Sequence, residues 1–222
     1  MDTGNIVVRI LVEILPLVLA ITLHEAAHGY VARMFGDNTA YMMGRVTLNP
    51  ARHIDPVGTI LFPLLSLALG GVVFGWAKPV PVNFGNLRHP KRDMFWVAAA
   101  GPGSNLVQAT IWSAVAATIA SYGGLESQAA AFWFLVAMAG IKWNVILAIF
   151  NLFPILPLDG GRIVTSLLPN PLAYSYSRLE PYGMPILIGL IILMTVVPPL
   201  GYAFMALING GINVFVTLFG LR

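Results

Sequence analysis

His24, Glu25 and His28 fall in the pentad His24-Glu25-Ala26-Ala27-His28, inside an apolar run near the amino terminus. Positions four apart on a helix lie about 40° apart on one face, at about 100° per residue, so both imidazoles can reach a single metal ion. Glu25 directly follows the first histidine, where its carboxylate can take a proton from a water activated at that metal. The chemistry this pattern supports is metal-assisted hydrolysis. With four His and four Glu in 222 residues, a chance match is expected in roughly one chain in a thousand. The alternative is a pair of histidines satisfying helix neighbours.

A third candidate ligand, Asp159, closes a second apolar run. Residues 151–161 read NLFPILPLDGG. Pro154 and Pro157 donate no backbone hydrogen bond, so a helix must loosen there, while Gly160 and Gly161 permit close backbone approach. An aspartate at membrane depth is costly unless paired with a cation or metal. Zinc would provide that pairing: two His and one Asp leave an open position, the ligand count of a catalytic zinc site. A structural ion pair between Asp159 and Arg162 is the competing explanation.

The elements that must position these residues are set by composition. Hydrophobic residues make up 58% of the chain and charged residues 9%, and the mean hydropathy is +0.81, outside the range of a soluble globular domain. The expectation is an all-α polytopic membrane protein in a lipid bilayer, one integral domain over 1–222. Six apolar stretches can be drawn: 6–34, 57–76, 94–121, 131–153, 184–197 and 202–221. All but the fifth approach the ~20 residues that span hydrocarbon as a helix. The first is not expected to be a cleaved signal peptide, because no basic residue precedes Arg9, Glu13 interrupts it, and cleavage would discard the pentad.

There is no cysteine, so His and carboxylate must carry any metal binding. The net charge of +3 comes from cations spread between apolar spans, which argues for membrane orientation and against nucleic-acid binding. Ten of the twelve Lys and Arg, from Arg33 to Arg222, fall at span ends or in loops that can share one side. The positive-inside rule makes that side cytoplasmic, with the amino terminus outside and the carboxyl terminus inside a cell (cytoplasmic or inner) membrane.

Stretch 57–76 breaks this parity because both its flanks are basic. It reads as a re-entrant hairpin turning near Pro63, Gly70 and Gly71 and packing on the active-site helices, which leaves five spans; an ordinary sixth span is the alternative. Between the first two stretches, Val46 and Leu48 alternate with Arg45, Thr47 and Asn49 in MGRVTLNP, a short strand pattern. Such a strand near the site could hold an extended substrate through Val46, Thr47 and Leu48, unless it is an interfacial loop.

The HEAAH pentad in one membrane segment and NLFPILPLDGG in a later one resemble the site-2 protease family of intramembrane zinc metalloproteases. The intervening AAGPGSN, residues 99–105, is similar to the family's glycine-proline-x-x-asparagine motif, and GRVTLNPARHIDP with FGWAKPVPVN looks like its compact prokaryotic branch. The resemblance covers a core of about 6–168, leaving C-terminal accessory helices at about 183–221. No insert between the motifs is long enough for a PDZ or CBS module, so substrate selection by one is not expected. The resemblance implies zinc held by His24, His28 and Asp159, Glu25 as catalytic acid/base, and transmembrane proteins or peptides as substrates. It also implies that Asn151 or Asn105 donates to the developing oxyanion or orients the peptide, with Asn151 preferred and a helix-end cap as its alternative. Oligomeric state is left open.

Glu13, eleven residues before His24, points toward the same face but lies about 16 Å along the axis, too far to bind the metal. Lys142, His53 and His89 read as interior pairing and interfacial loop residues. A divalent-metal transporter would need ionisable groups strung across several spans, and only Arg9, Glu13 and Lys142 lie clearly within membrane stretches outside the site. A non-catalytic scaffold that kept the fold would be signalled by a lost ligand or glutamate, and all four residues are present.

Overall fold

A computed structural model of the chain describes residues 6–61, 77–122 and 127–221. Its elements are α1 (Ile6–Met34), the single turn α2 (Thr39–Met42), α3 (Pro90–Tyr122), α4 (Gln128–Asn151), α5 (Asp159–Leu167), α6 (Asn170–Ser177), α7 (Gly183–Val196) and α8 (Pro198–Leu218), with short 3₁₀ turns between some of them. Four helical runs, Val7–Met34, Gln128–Asn151, Asn170–Val196 and Pro198–Leu218, are long and apolar enough to cross a membrane. An all-helical architecture follows from runs that are apolar on every side, since such helices suit lipid or a core.

The site rests on three helices, α1, α3 and α4, each packed on the other two, with α5, which begins on Asp159, laid against α3. α3 begins on Pro90, a residue suited to the first helical position, and the His89 N–H donates to the Asp93 carboxylate at 2.8 Å. α4 is capped by Ser127, whose hydroxyl accepts from the Ala130 N–H at 3.0 Å. Midway along the bundle Glu13 of α1 accepts two hydrogen bonds from the Lys142 ammonium of α4, at 2.6 and 2.7 Å, and one from the Trp143 indole at 2.7 Å. That pairing gives the glutamate a partner at membrane depth and locks α1 to α4. α7 and α8 lie outside this core; α8 approaches α4 at Gly211, where a Cβ would stand 2.8 Å from Val145 Cγ1.

Residues 45–49 do not form a strand, and no strand occurs among the described residues. The alternation is inverted by burial: Leu48 is 67% exposed, whereas Arg45 is 6% exposed. His53 Nε2 donates to the main-chain oxygen of Thr47 at 3.0 Å and pins a bend. Tertiary hydrogen bonds to a buried guanidinium have overridden the period-2 pattern. Of stretch 57–76, only its first residues lie in a described element, the wide helical turn Pro56–Leu61; the turn candidates Pro63, Gly70 and Gly71 lie outside the described residues.

Candidate metal centre

A close helix approach and a helix interruption bring the ligand candidates together. In α3, Gly101 faces the pentad so closely that a Cβ there would lie 2.4 Å from His28 Nε2 and 2.5 Å from His24 Cε1. Only glycine admits that approach. After α4, residues 152–158 leave helical geometry and α5 restarts on Asp159. A Cβ on Gly160 would stand 2.2 Å from the Leu152 carbonyl oxygen, and one on Gly161 2.5 Å from the Leu156 nitrogen. The paired glycines therefore let α5 fold back under the loop and deliver Asp159 to α1.

His24, His28 and Asp159 are each less than 10% exposed, and their ligand atoms all lie within 4.8 Å of one another. The two Nε2 atoms are 3.1 Å apart. They face Asp159, with His24 Nε2 3.2 Å from Oδ2 and His28 Nε2 3.3 Å from Oδ1. Arg162, the competing partner, turns away to Glu180 at 3.0 Å.

The outer partners fix the tautomers. Gly140 O can only accept, so Asn144 Nδ2 donates to it at 2.9 Å, and Asn144 Oδ1 then accepts from Asn105 Nδ2 at 2.9 Å. Asn105 Oδ1 is left to accept from His24 Nδ1 at 2.6 Å. The Val97 carbonyl likewise accepts from His28 Nδ1 at 2.7 Å. In the neutral imidazoles both protons therefore sit on Nδ1, and both Nε2 lone pairs point inward. Two lone pairs and a carboxylate converging at about 3 Å repel unless a cation lies among them. Asp159 Oδ2 is in addition buried without a hydrogen-bond donor, and the N,N,O donor set suits zinc. The residues present fit the metal.

Glu25 Oε2 accepts from the Val80 N–H at 2.7 Å. Asn105, the less favoured of the two candidate amides, is fully buried, and its carboxamide accepts from His24 and donates to Asn144. Asn151 donates through Nδ2 to Leu147 O of its own helix at 2.9 Å, as a helix-end residue would. Val46 packs beside Val80 over Gly29, while Thr47 and Leu48 belong to the bend. Sequence reasoning missed Asn144, whose signal was a carboxamide in the middle of an apolar helix, and missed Val97 O and Val80 N–H, which are main-chain atoms with no side-chain signature.

Residues 118–196, which include the NLFPILPLDGG segment, match peptidase family M50. A relative from Bacillus subtilis (strain 168), named "Putative zinc metalloprotease YwhC", is 39% identical over 209 residues, covering 93% of this chain and 90% of the relative. The chain belongs to peptidase family M50. A second relative in Mycolicibacterium smegmatis, named "Putative zinc metalloprotease Rip2", is 30% identical over 168 residues, 75% of the M50 chain but 55% of that longer protein. No solved structure matches the M50 chain. Its apolar helices and its family together make it a multi-pass membrane protein.

Proposed function

We propose that this chain is a zinc-dependent endopeptidase of the site-2 type that hydrolyses peptide bonds in or beside transmembrane segments of membrane proteins. The observation that carries this reading is the convergence of two Nε2 lone pairs and an undonated carboxylate oxygen among apolar helices. The family and the names of the relatives support a zinc metalloprotease. His24, His28 and Asp159 would hold the zinc, which when bound supplies Lewis acidity and makes water acidic enough to attack near neutral pH.

The remaining steps belong to the chain. Glu25, adjacent to His24, accepts the proton of the attacking water and returns it to the leaving amine. One carboxylate oxygen is held by Val80 N–H, so the other handles the proton. Asn151, through the amide hydrogen not given to Leu147 O, donates to the developing oxyanion. An intact helix hides its carbonyls in backbone hydrogen bonds, so the substrate unwinds before it is cut. Asn105 acts on His24 rather than on the peptide.

The cation distribution supports an outside amino terminus, a cytoplasmic carboxyl terminus and water entry from the cytoplasmic side of a cell membrane. Within one membrane domain, α1 to α5 form a core of about 6–168, and α7 and α8 are accessory helices over about 183–221. Five spans with a hairpin at 57–76 remain our reading of the topology.

The test is cleavage of a purified single-pass transmembrane substrate by wild type and by Glu25→Gln. Cleavage should stop on zinc removal and return on zinc addition, while Glu25→Gln should keep about one zinc per chain and lose cleavage, since an amide cannot accept the proton. A Glu25→Gln protein that cuts at the wild-type rate overturns the reading.

A further inference from the structure

Residues 77–83, AKPVPVN, run without helical structure past α1. Val80 stands between Pro79 and Pro81, which carry no N–H, so its amide is the one main-chain donor in that tripeptide. This donor is spent on Glu25 Oε2 at 2.7 Å. The bond is charge-assisted and short. The Val80 side chain, 7% exposed, packs beside Val46 over Gly29, where a Cβ would meet Val80 Cγ1 at 3.0 Å and Val46 Cγ2 at 2.9 Å.

The segment is held at both ends. Asn83 N–H donates to Asp37 Oδ2 at 2.8 Å, and Lys78 N–H donates to His53 O at 2.9 Å. Between them the buried Arg45 guanidinium donates to the carbonyls of Lys78 at 2.9 Å and Pro79 at 3.3 Å. Its Nε has no partner. A buried cation satisfied by two consecutive main-chain carbonyls is an expensive way to hold a loop unless the orientation of that peptide matters. The Pro79 carbonyl belongs to the same peptide unit as the Val80 N–H, and peptide planarity fixes one by fixing the other.

We propose that Arg45 and Val80 are positioning residues for Glu25. Arg45 sets the plane of the Pro79–Val80 peptide, the Val80 N–H pins one carboxylate oxygen, and the other is left to take and return the proton. Without the pin, three side-chain torsions of Glu25 are free to carry the carboxylate off the reacting water. The inference rests on the reading of Glu25 as acid/base.

Val80→Pro deletes the donor while keeping an extended backbone that its proline neighbours already favour. It should lower kcat by about 10- to 100-fold with KM and zinc stoichiometry unchanged, a loss of the size expected when a supporting partner goes. Val80→Ala removes packing but keeps the N–H, and should lose several-fold less. Arg45→Met should follow Val80→Pro, with partial recovery in Arg45→Lys. The second measurement needs neither zinc nor turnover: in the metal-free protein, hydrogen exchange at the Val80 amide should quicken at least tenfold in Glu25→Ala while the Asn83 amide stays protected by Asp37. Unchanged Val80 exchange in Glu25→Ala overturns the proposal, as does an equal loss in Val80→Ala and Val80→Pro. If Val80→Pro fails to fold, wild-type kcat in Arg45→Met overturns it. Failure of the protease reading is distinct, because there wild type itself would not cleave and the exchange result would be untouched.

Discussion

Asn105 Oδ1 accepts the Nδ1–H of His24 at 2.6 Å, and Asn105 Nδ2 donates to Asn144 Oδ1 at 2.9 Å. One carboxamide thus couples α1 to α4 through α3 and fixes which nitrogen of His24 faces the candidate metal centre. Outer partners of this kind orient a ligand and raise its basicity. Asn105→Leu should weaken zinc binding about 10- to 100-fold, measured by competition with a chromophoric chelator. Asn144→Leu should weaken it less, because Asn105 keeps its bond to His24. Wild-type zinc affinity in Asn105→Leu would show that the bond is incidental.

Two glycines two positions apart in GPG, Gly101 and Gly103, should respond in opposite ways to the same change. A Cβ on Gly101 would overlap both imidazoles, whereas one on Gly103 meets nothing within 4 Å. Gly101→Ala should cost about 1–3 kcal/mol of stability and displace the zinc. Gly103→Ala should be neutral or stabilise by about 0.5–1 kcal/mol, since alanine is the better helix former. Thermal unfolding with zinc analysis distinguishes them, and similar behaviour of the two variants would refute the close approach of α3.

The Glu13–Lys142 pair predicts a coupling between α1 and α4. Removing either partner alone should destabilise by about 3 kcal/mol, because it leaves a charge unpaired at membrane depth. The double variant Glu13→Gln, Lys142→Met should recover most of that loss. Equilibrium unfolding in mixed detergent, arranged as a double-mutant cycle, measures the coupling; additive losses would mean that the two side chains do not interact.

Acid sensitivity should be traceable to Asp37. Burial pushes its carboxyl up, but hydrogen bonds from the Thr39 hydroxyl and N–H, the Asn83 N–H and the Asn86 amide outweigh burial and hold it below the ordinary carboxylate value. A lowered folded-state value means that the carboxylate contributes stability above the unfolded value of about 3.9, and that this is lost as pH falls toward the folded value. The melting temperature of wild type should therefore exceed that of Asp37→Asn by a constant margin from pH 7 to about pH 5, and the margin should shrink below about pH 4. A margin independent of pH down to 3 would contradict the assignment.

The sequence by itself determined the membrane character, four of the long helices and the candidate ligand set, because each depends on local properties. An apolar run of about 20 residues has few alternatives to a helix in lipid. The HEAAH spacing places two imidazoles on one face wherever that helix lies, and the Asp159 carboxylate needs a counter-charge in any apolar setting. Tertiary structure alone decided what depends on neighbours distant in sequence. Residues 45–49 carry a strand's alternation, yet Arg45 is drawn inward by the carbonyls of Lys78 and Pro79 and the pattern inverts. Asn105 carries an amide that can donate to an oxyanion, yet its Nδ2 is given to Asn144 and its oxygen accepts from His24 across 81 positions. Val80 carries no side-chain signal at all; its main-chain N–H gained a role only when the chain brought it 55 positions back to Glu25.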